Sequence, residues 1–264
     1  DTTVGQYDVD YYELPASGEI RLDFSGAPDV SLLGTGAPSG QHVWYAQRAN
    51  ESNPRLTRAV DLRDVDAATL TYSVYADIEH SYDFAYVSVS TDGGERWQPL
   101  TAGNMQGLDP ADDPSGSAFA DRFYTGRTQA WVDETIDLTP YAGQEILLRF
   151  EYVTDLIQTY GGLALDDIAI PEIGFRDDAE TAGAGWTAEG FTRATTTLPQ
   201  EWQLQLVTFD RDGQPAVELL PAVDGRVEHT YQAIPRTRRP LLIVAATAPE
   251  TLQPATYSLR VGSQ

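Results

Sequence analysis

Alternation of apolar and polar residues with a period of two runs through the sequence and constrains its fold more than any other feature. In residues 19–24, Ile20, Leu22 and Phe24 alternate with charged residues, as a half-buried β-strand requires. The same kind of pattern recurs in residues 70–76, 84–90, 146–153 and 163–170. No stretch keeps an apolar stripe of 3.6-residue period over three turns, so helix is expected only as short turns near residues 64–67 and 139–142. The sequence therefore predicts an all-β protein.

The length of 264 residues exceeds the usual size of one domain and predicts two. The alternation breaks at residues 171–178, and a run of small residues follows at 180–185. We therefore place the boundary there, with one β-sandwich at residues 1–172 and a smaller one at residues 173–264. In the second domain, strands are expected at residues 201–207, 216–220, 226–231, 240–246 and 256–261, with a hairpin turn at residues 210–213.

Composition excludes several classes of function. The sequence has no Cys, so disulfides, thiolate metal sites and a thiol nucleophile are excluded. Its 40 Asp and Glu against 17 Arg and no Lys give a net charge of −23, which opposes binding to nucleic acid and to anionic membranes. No apolar run is long enough for membrane insertion, and the first ten residues lack the pattern of a signal peptide. We expect an internal or C-terminal segment of a longer protein.

The histidines and serines indicate that the chain is not an enzyme. His42, His80 and His229 are the three histidines, and none stands four residues from another, as a helical zinc motif requires. No G-x-S-x-G motif is present. Paired carboxylates are too common in so acidic a chain to exclude a glycosidase by inventory, but the Asp-rich stretches lie in polar loops. We predict no catalytic and no cofactor-binding residues.

A longer motif carries a resemblance to a known family. In residues 77–97, a strand rich in Tyr and Val runs into Ser-Thr-Asp-Gly-Gly at residues 90–94 and then reaches Trp97. The order and spacing of further segments match the same family: residues 6–14, 50–58, 131–138, 141–143, 148–155 and 165–168. Residues 177–180 and 186–191 continue the match. The chain resembles the MAM-like jelly-roll region that follows the catalytic domain in bacterial immune inhibitor A-like secreted zinc metallopeptidases. Residues 255–261 are similar to the last strand of pre-peptidase C-terminal domains.

The resemblance implies a fold, a location and a partner. It implies a jelly-roll sandwich, similar also to carbohydrate-binding modules, followed by a smaller sandwich of the pre-peptidase C-terminal kind. It implies a secreted or cell-surface protein whose partner is an upstream catalytic protease domain, which the region stabilises or targets. A purely structural surface spacer is a further alternative.

Calcium is the expected use of the carboxylates. Hard cations take six to eight oxygen ligands, and a jelly roll can collect them from an early loop, the middle of the sheet and the last strand. The predicted structural Ca²⁺ ligands, in chain order, are Glu51, Glu79, Asp83, Asp166 and Asp167. Asp166 and Asp167 stand inside an apolar strand, where one of them must face the core. An Arg partner such as Arg149, or simple exposure to solvent, are the alternatives for Asp167.

Aromatic residues raise a second candidate function, a carbohydrate- or glycan-binding module. The candidate ligand platform for a cell-surface glycan or a protein substrate consists of Phe84, Tyr86, Trp97, Tyr124 and Trp131. Alternating aromatics are also common in the cores of sheets. Because Ala85 and Val87 are expected to face the core, the opposite, aromatic face is either covered by the polar loop of residues 100–135 or open to a ligand.

Overall fold

The computed structural model describes residues 1–107, 109–234 and 238–263 and confirms an all-β fold. It contains two single 3₁₀ turns, Thr139–Tyr141 and Pro171–Ile173, and no helix in these residues is long and apolar enough to cross a membrane. The strands in chain order are β1 Thr2–Val4, β2 Val9–Glu13, β3 Gly18–Gly26, β4 Asp29–Ser31, β5 His42–Tyr45, β6 Arg55–Asp61, β7 Thr69–Asp77, β8 Phe84–Ser90, β9 Gln98–Pro99, β10 Val132–Asp137, β11 Glu145–Val153, β12 Gly162–Ile170, β13 Phe175–Asp177, β14 Thr187–Glu189, β15 Thr192–Thr195, β16 Thr197–Pro199, β17 Trp202–Phe209, β18 Pro215–Pro221, β19 Arg226–Ala233, β20 Leu241–Ala246 and β21 Ala255–Ser263.

The chain forms two compact units, one inserted into the other in sequence. Residues 1–34 and 197 onward form the first unit, which we call the host sandwich. Residues 35–196 form the second, which we call the inserted sandwich. Two sandwiches were predicted, but a boundary between residues 172 and 173 is wrong.

Strand pairing explains the error. The break in alternation at Pro171 is a 3₁₀ turn, after which β13 folds back antiparallel onto β12 and β14 and β15 pair with β6 and β5. Residues 175–195 therefore complete the inserted sandwich. At the start of the chain, β1 pairs with β21, β2 pairs with β20, and β3 pairs with both β19 and β21. The first 34 residues therefore belong to the same unit as the last 68. Alternation identifies a strand but not its partner, and these partners lie more than 200 residues apart.

The host sandwich has two four-stranded sheets, in the orders β1-β21-β3-β19 and β18-β17-β20-β2, and a short β16-β4 ladder. Ile20, Leu22 and Phe24 of β3 are buried, as their alternation predicts, in one cluster with Leu204 and Leu206 of β17. The predicted hairpin joins β17 to β18. Its turn ends at Gly213, whose φ of +79° is accessible to glycine at little cost.

The inserted sandwich has sheets in the orders β10-β7-β12-β5-β15 and β14-β6-β11-β8-β9. Its core is one apolar cluster, to which Val74, Val87, Leu148 and Leu165 contribute from four different strands. All neighbouring strands in both sheets are antiparallel. A predicted helical turn is present at Thr139–Tyr141, whereas residues 64–67 form turns and bends without a helix.

Candidate cation site

Three carboxylates converge where β8 begins and β11 ends. Because β8 and β11 are antiparallel with Phe84 opposite Val153, Asp83 just before β8 lies beside Asp155 just after β11. Glu79 joins them from the turn between β7 and β8, where the Asp83 amide donates to the Glu79 carbonyl. One carboxylate oxygen of each of Glu79, Asp83 and Asp155 lies within 4.8 Å of the others. We call this set the carboxylate cluster.

Asp83 is the fixed centre of the cluster. It is fully buried, and its Oδ2 accepts a hydrogen bond of 3.0 Å from the Tyr152 hydroxyl. Its Oδ1 accepts from the backbone amide of Asp155 at 3.1 Å, and the Glu79 amide approaches Oδ2 at 3.4 Å. The Tyr152 pKa is raised by burial and then by the charge of Asp83, so its hydroxyl stays protonated and donates. These contacts orient the carboxylate without neutralising it.

Glu79 leaves one oxygen without a partner. Its Oε2 is buried and has no hydrogen-bond partner among the residues that the structure describes. Burial raises the pKa of Glu79, and the neighbouring charges of Asp155 and Asp83 add to the shift. Burial likewise raises the pKa of Asp83, against the lowering effect of its hydrogen bonds. With all three groups ionised, the cluster carries three negative charges, and a hard divalent cation would offset most of them.

The structure brings together only part of the predicted ligand set. Glu79 and Asp83 are in the cluster. Glu51 adjoins it through its backbone, whose amide donates to the Asp155 carbonyl at 2.6 Å, while its side chain is exposed. Asp155 was missed as a ligand, although the antiparallel pairing of two predicted strands places it beside Asp83.

Asp166 and Asp167 lie apart from this cluster, at a shift in the β12–β7 register between Asp166 and Ala169. Asp166 is fully buried, and its carboxylate accepts from the amides of Asp167 at 2.8 Å and Ser39 at 3.3 Å. Burial raises its pKa to about 7. Of the two residues, Asp166 is therefore the one that faces inward.

Asp167 has an arginine partner, but it is not Arg149. Its Oδ1 accepts from Arg176 at 2.9 Å and from the Ser39 hydroxyl at 3.0 Å. The guanidinium of Arg149 instead lies 3.6 Å from the ring centroid of Trp97. The backbone of Asp167 has a φ of +48°, uncommon for a residue other than glycine, which fits its place in the register shift.

The candidate aromatic platform is not an exposed row. Phe84 and Tyr86 are buried in a small cluster with Phe123, beneath the loop of residues 100–135. Phe119 from this loop stacks on Tyr86 with ring centroids 3.7 Å apart. The loop therefore covers this face, while Ala85 and Val87 face the main core as predicted.

The other three members of the platform lie in separate surroundings. Tyr124 is buried and shares hydrogen bonds with Tyr72 at 2.7 Å and Glu134 at 2.9 Å. Trp97 lies under Arg149 and donates to the carbonyl of Gly94 in its own turn at 3.1 Å. Trp131 donates to the carbonyl of Gly36 at 2.7 Å.

The three histidines occupy three different environments. Nδ1 of His42 lies 2.8 Å from Glu180, and Nδ1 of His80 lies 2.6 Å from the Ser81 hydroxyl. His229 faces Glu218 across 3.7 Å in the host sandwich. No two of them share a partner in these contacts.

Two antiparallel sheets over a shared core, with a candidate cation site at one end, define residues 35–196 as a β-sandwich module. The family model described as "Immune inhibitor A-like, MAM domain" matches residues 26–196, and the chain belongs to this family.

Two of the similar curated proteins carry a protease or peptidase in their names. The chain is 29% identical to Pre-pro-metalloprotease PrtV of Vibrio cholerae over 169 residues, which are 63% of this chain and 17% of the relative. It is 25% identical to Immune inhibitor A of Bacillus thuringiensis over 62% of this chain and 22% of the relative. It is 26% identical to Bacillopeptidase F of Bacillus subtilis over 52% of this chain and 8% of the relative. The chain thus spans less than a quarter of the length of these relatives.

Among solved structures, the K1 cleaved adhesin domain of Lys-gingipain from Porphyromonas gingivalis is similar, with 16% identity and a TM-score of 0.26 over 64% of this chain and 98% of that domain.

Proposed function

We propose that the chain is a non-catalytic accessory region of a secreted, extracellular metalloprotease, in which it stabilises or positions the catalytic domain. The observation that carries the proposal is the family match over residues 26–196, together with two relatives whose names are those of a metalloprotease and a peptidase. The proposal is supported by the sequence, which has no Cys, and by the structure, in which the three histidines lie in unrelated surroundings.

The alternative function, glycan binding, has less support. Sugar-binding platforms need exposed aromatic faces, but Phe84, Tyr86 and Tyr124 are each at most 4% exposed. The covering loop and Arg149 occupy the faces of Tyr86 and Trp97. The aromatics of the inserted sandwich thus act mainly in its packing.

We also propose that the carboxylate cluster holds a structural Ca²⁺. Calcium binds carboxylate and carbonyl oxygens in flexible arrangements, and Glu79, Asp83 and Asp155 offer three carboxylates within one small volume. The unpartnered Oε2 of Glu79 supports the proposal, because a buried carboxylate oxygen without a donor is costly and a cation would compensate it. In this role the ion would fix the turn between β7 and β8 to the end of β11.

Deleting the region from its full-length protein tests the accessory role. The deletion variant should hydrolyse a short peptide with a kcat/KM close to that of the full-length enzyme, because the reacting groups lie elsewhere. Its half-life at an elevated temperature should fall by about tenfold, which corresponds to a loss of about 1.4 kcal/mol of stabilisation. A second variant, in which a Gly-Ser linker replaces residues 35–196 only, shows which sandwich is responsible. Equal half-lives for full-length and deletion proteins would refute the proposal.

A further inference from the structure

One outer face of the host sandwich is apolar. Burial alternates along β17, β20 and β2, so that alternate residues of the sheet β18-β17-β20-β2 point away from the core. Three rows of outward positions cross all four strands, and we call these twelve positions the apolar face: Val217, Leu219, Pro221, Gln203, Gln205, Val207, Leu241, Ile243, Ala245, Val9, Tyr11 and Glu13. Nine of them are apolar, and Glu13 is the only one that carries a charge.

These residues are contiguous; those of the outer strands β18 and β2 are exposed, and most of those of the inner strands β17 and β20 are half-buried. Leu219 is 70% exposed, Tyr11 64% and Val217 62%. Strand register aligns Leu219, Gln205, Ile243 and Tyr11 in one row across all four strands. At about 4.8 Å between strands and about 6.8 Å between alternate residues, the twelve positions cover about 390 Å². The largest apolar patch on a soluble monomer is often of this size and is often functional.

The opposite sheet of the same sandwich provides an internal comparison. Its outward positions on β3, β19 and β21 are Glu19, Arg21, Asp23, Ser25, Arg226, Glu228, Thr230, Gln232, Thr256, Ser258, Arg260 and Gly262. None of these twelve has an apolar side chain. The two faces belong to one fold and one acidic chain, so neither strand propensity nor overall composition accounts for the apolar face.

Charge and area argue against a second copy of this chain as the occupant. Each copy has a net charge of −23, so two copies repel each other. The apolar face is also only about half of the roughly 800 Å² per partner that a stable interface between separate proteins buries. A tethered partner needs less area, because a covalent linker keeps it at an effective concentration in the millimolar range.

The size of the relatives favours such a tethered partner. The matched region is 17% of the Vibrio relative and 22% of the Bacillus thuringiensis relative, so most of each relative lies outside it. A fitting partner surface is apolar at its centre, offers hydrogen-bonding groups to Gln203 and Gln205, and is neutral or basic at its rim.

We infer that the apolar face docks the catalytic domain of the same polypeptide. This inference rests on the proposed accessory function and assigns it a surface. Docking removes Leu219, Tyr11 and Val217 from water, and the polar face of the opposite sheet stays in solvent.

Hydroxyl-radical footprinting of the isolated chain and of the full-length polypeptide tests the inference. Tyr11 and Leu219 should be modified at least about fivefold more slowly in the full-length protein, because the centre of an interface excludes water. Exposed Tyr82 and Leu252 are internal references and should react at similar rates in both proteins.

Matched full-length variants sharpen the test. Tyr11→Glu with Leu219→Glu should restore the reactivity of Val217 to that of the isolated chain. Thr230→Glu with Thr256→Glu adds the same charge to the opposite face and should leave Val217 protected.

Two results would overturn the inference. One is equal reactivity of Tyr11 and Leu219 in the isolated chain and in the full-length protein. If deletion of the region still shortened the half-life of the protease in that case, the accessory function would stand without this surface. The other is a dimer of the isolated chain in sedimentation, dispersed by Tyr11→Glu with Leu219→Glu, which would assign the face to a second copy. Protection of the face in a protein whose half-life is insensitive to the deletion would support docking while refuting the accessory role.

Discussion

Glu79 shows how one side chain can reveal a missing partner. Its Oε2 is buried and has no hydrogen-bond partner within the described part of the chain, and one oxygen of the same carboxylate lies within 4.8 Å of an oxygen of Asp83 and one of Asp155. Leaving a buried polar group unpaired costs about 1–3 kcal/mol, and more when the group is charged. Glu79 lies in the turn between β7 and β8, so the stability of this turn should depend on a cation that neutralises the carboxylate cluster.

Calcium should therefore raise the melting temperature of metal-stripped protein. An ion present at 100 times its dissociation constant adds about 2.7 kcal/mol, which moves the transition by several degrees. Glu79→Gln should lose most of this shift, and Asp64→Asn, an exposed acidic-to-amide change in the same sandwich, should keep it. Magnesium should substitute poorly, because it demands octahedral geometry and keeps its water. Calorimetry of the stripped wild type giving one melting temperature with calcium, magnesium or neither would contradict the prediction.

Asp166 should give the inserted sandwich a distinctive dependence on pH. Its folded-state pKa of about 7 lies above the value of about 3.9 in an unfolded chain. The stability that its neutral form contributes is complete below about pH 4 and is lost as pH rises through about 7, with an upper limit of about 4 kcal/mol. Asp166→Asn cannot ionise, so this loss should disappear between pH 4 and 8.

Denaturant unfolding at pH 4.5, 6 and 7.5 measures this effect as the slope of the free energy of unfolding against pH. Asp61→Asn is the matched control, because Asp61 is exposed and its pKa is lowered to about 2 through its hydrogen bonds with Arg63. It should leave the slope between pH 4 and 8 unchanged. The explanation fails if Asp166→Asn and wild type lose stability in parallel over this range.

At the scale of elements, the loop of residues 100–135 replaces solvent over the aromatic side of β8. Phe119 is 53% exposed yet stacks on Tyr86, and it is the outermost aromatic contact between loop and sheet. Beneath it, Phe123 packs edge-on against Phe84 with ring centroids 4.7 Å apart. The loop is thus attached to the sheet by aromatic contacts.

Phe119→Ala should loosen this loop without unfolding the sandwich. The stack contributes about 0.5–1.5 kcal/mol beyond its buried area, so local opening should increase while the core stays intact. Limited proteolysis should cut the variant faster within residues 100–135. Tyr7→Ala, which removes a 67% exposed aromatic from the host sandwich, is the control and should leave the cutting rate unchanged. Unchanged cleavage of Phe119→Ala would show that other contacts hold the loop.

Elements also show how far the sequence predicts the fold. The strand at residues 84–90 coincides with β8, and those at 146–153 and 163–170 each fall one residue short of β11 and β12. Alternation is a local signal, and burial of one face enforces it. The pairing of β1 with β21 has no local signal, because the two strands lie at opposite ends of the sequence.

The candidate site, like the fold, was predictable from the sequence where it depends on local pattern and not where it depends on the pairing of distant strands. Glu79 and Asp83 lie next to a predicted strand, so their proximity follows from local sequence. Asp155 required the register of β8 with β11, and the register shift after Asp166, which sets the surroundings of this residue, was not visible in the alternation. The Arg176 partner of Asp167 follows from β13 folding back on β12, where the sequence indicated a domain boundary.

At the scale of the whole molecule, insertion predicts which fragments fold. Residues 35–196 keep all strands of their two sheets and should unfold cooperatively on their own. Residues 1–172 lose β13, β14 and β15 and retain β1, β2 and β3 without the strands that pair with them. This longer fragment should aggregate or melt without a cooperative transition. Circular dichroism melting of both fragments is the measurement, and a stable 1–172 fragment would contradict the division of the chain.

Insertion also decides how the chain carries tension. β1 and β21 run antiparallel with Thr2 opposite Tyr257, so a force pulling their outer ends apart opens this ladder one hydrogen bond at a time. Both connections to the inserted sandwich, at residues 34–35 and 196–197, lie inside the host chain. The load reaches residues 35–196 only after strands of the host have separated. When the ends of the host chain are pulled apart, we therefore expect the host sandwich to open before the inserted sandwich that holds the carboxylate cluster.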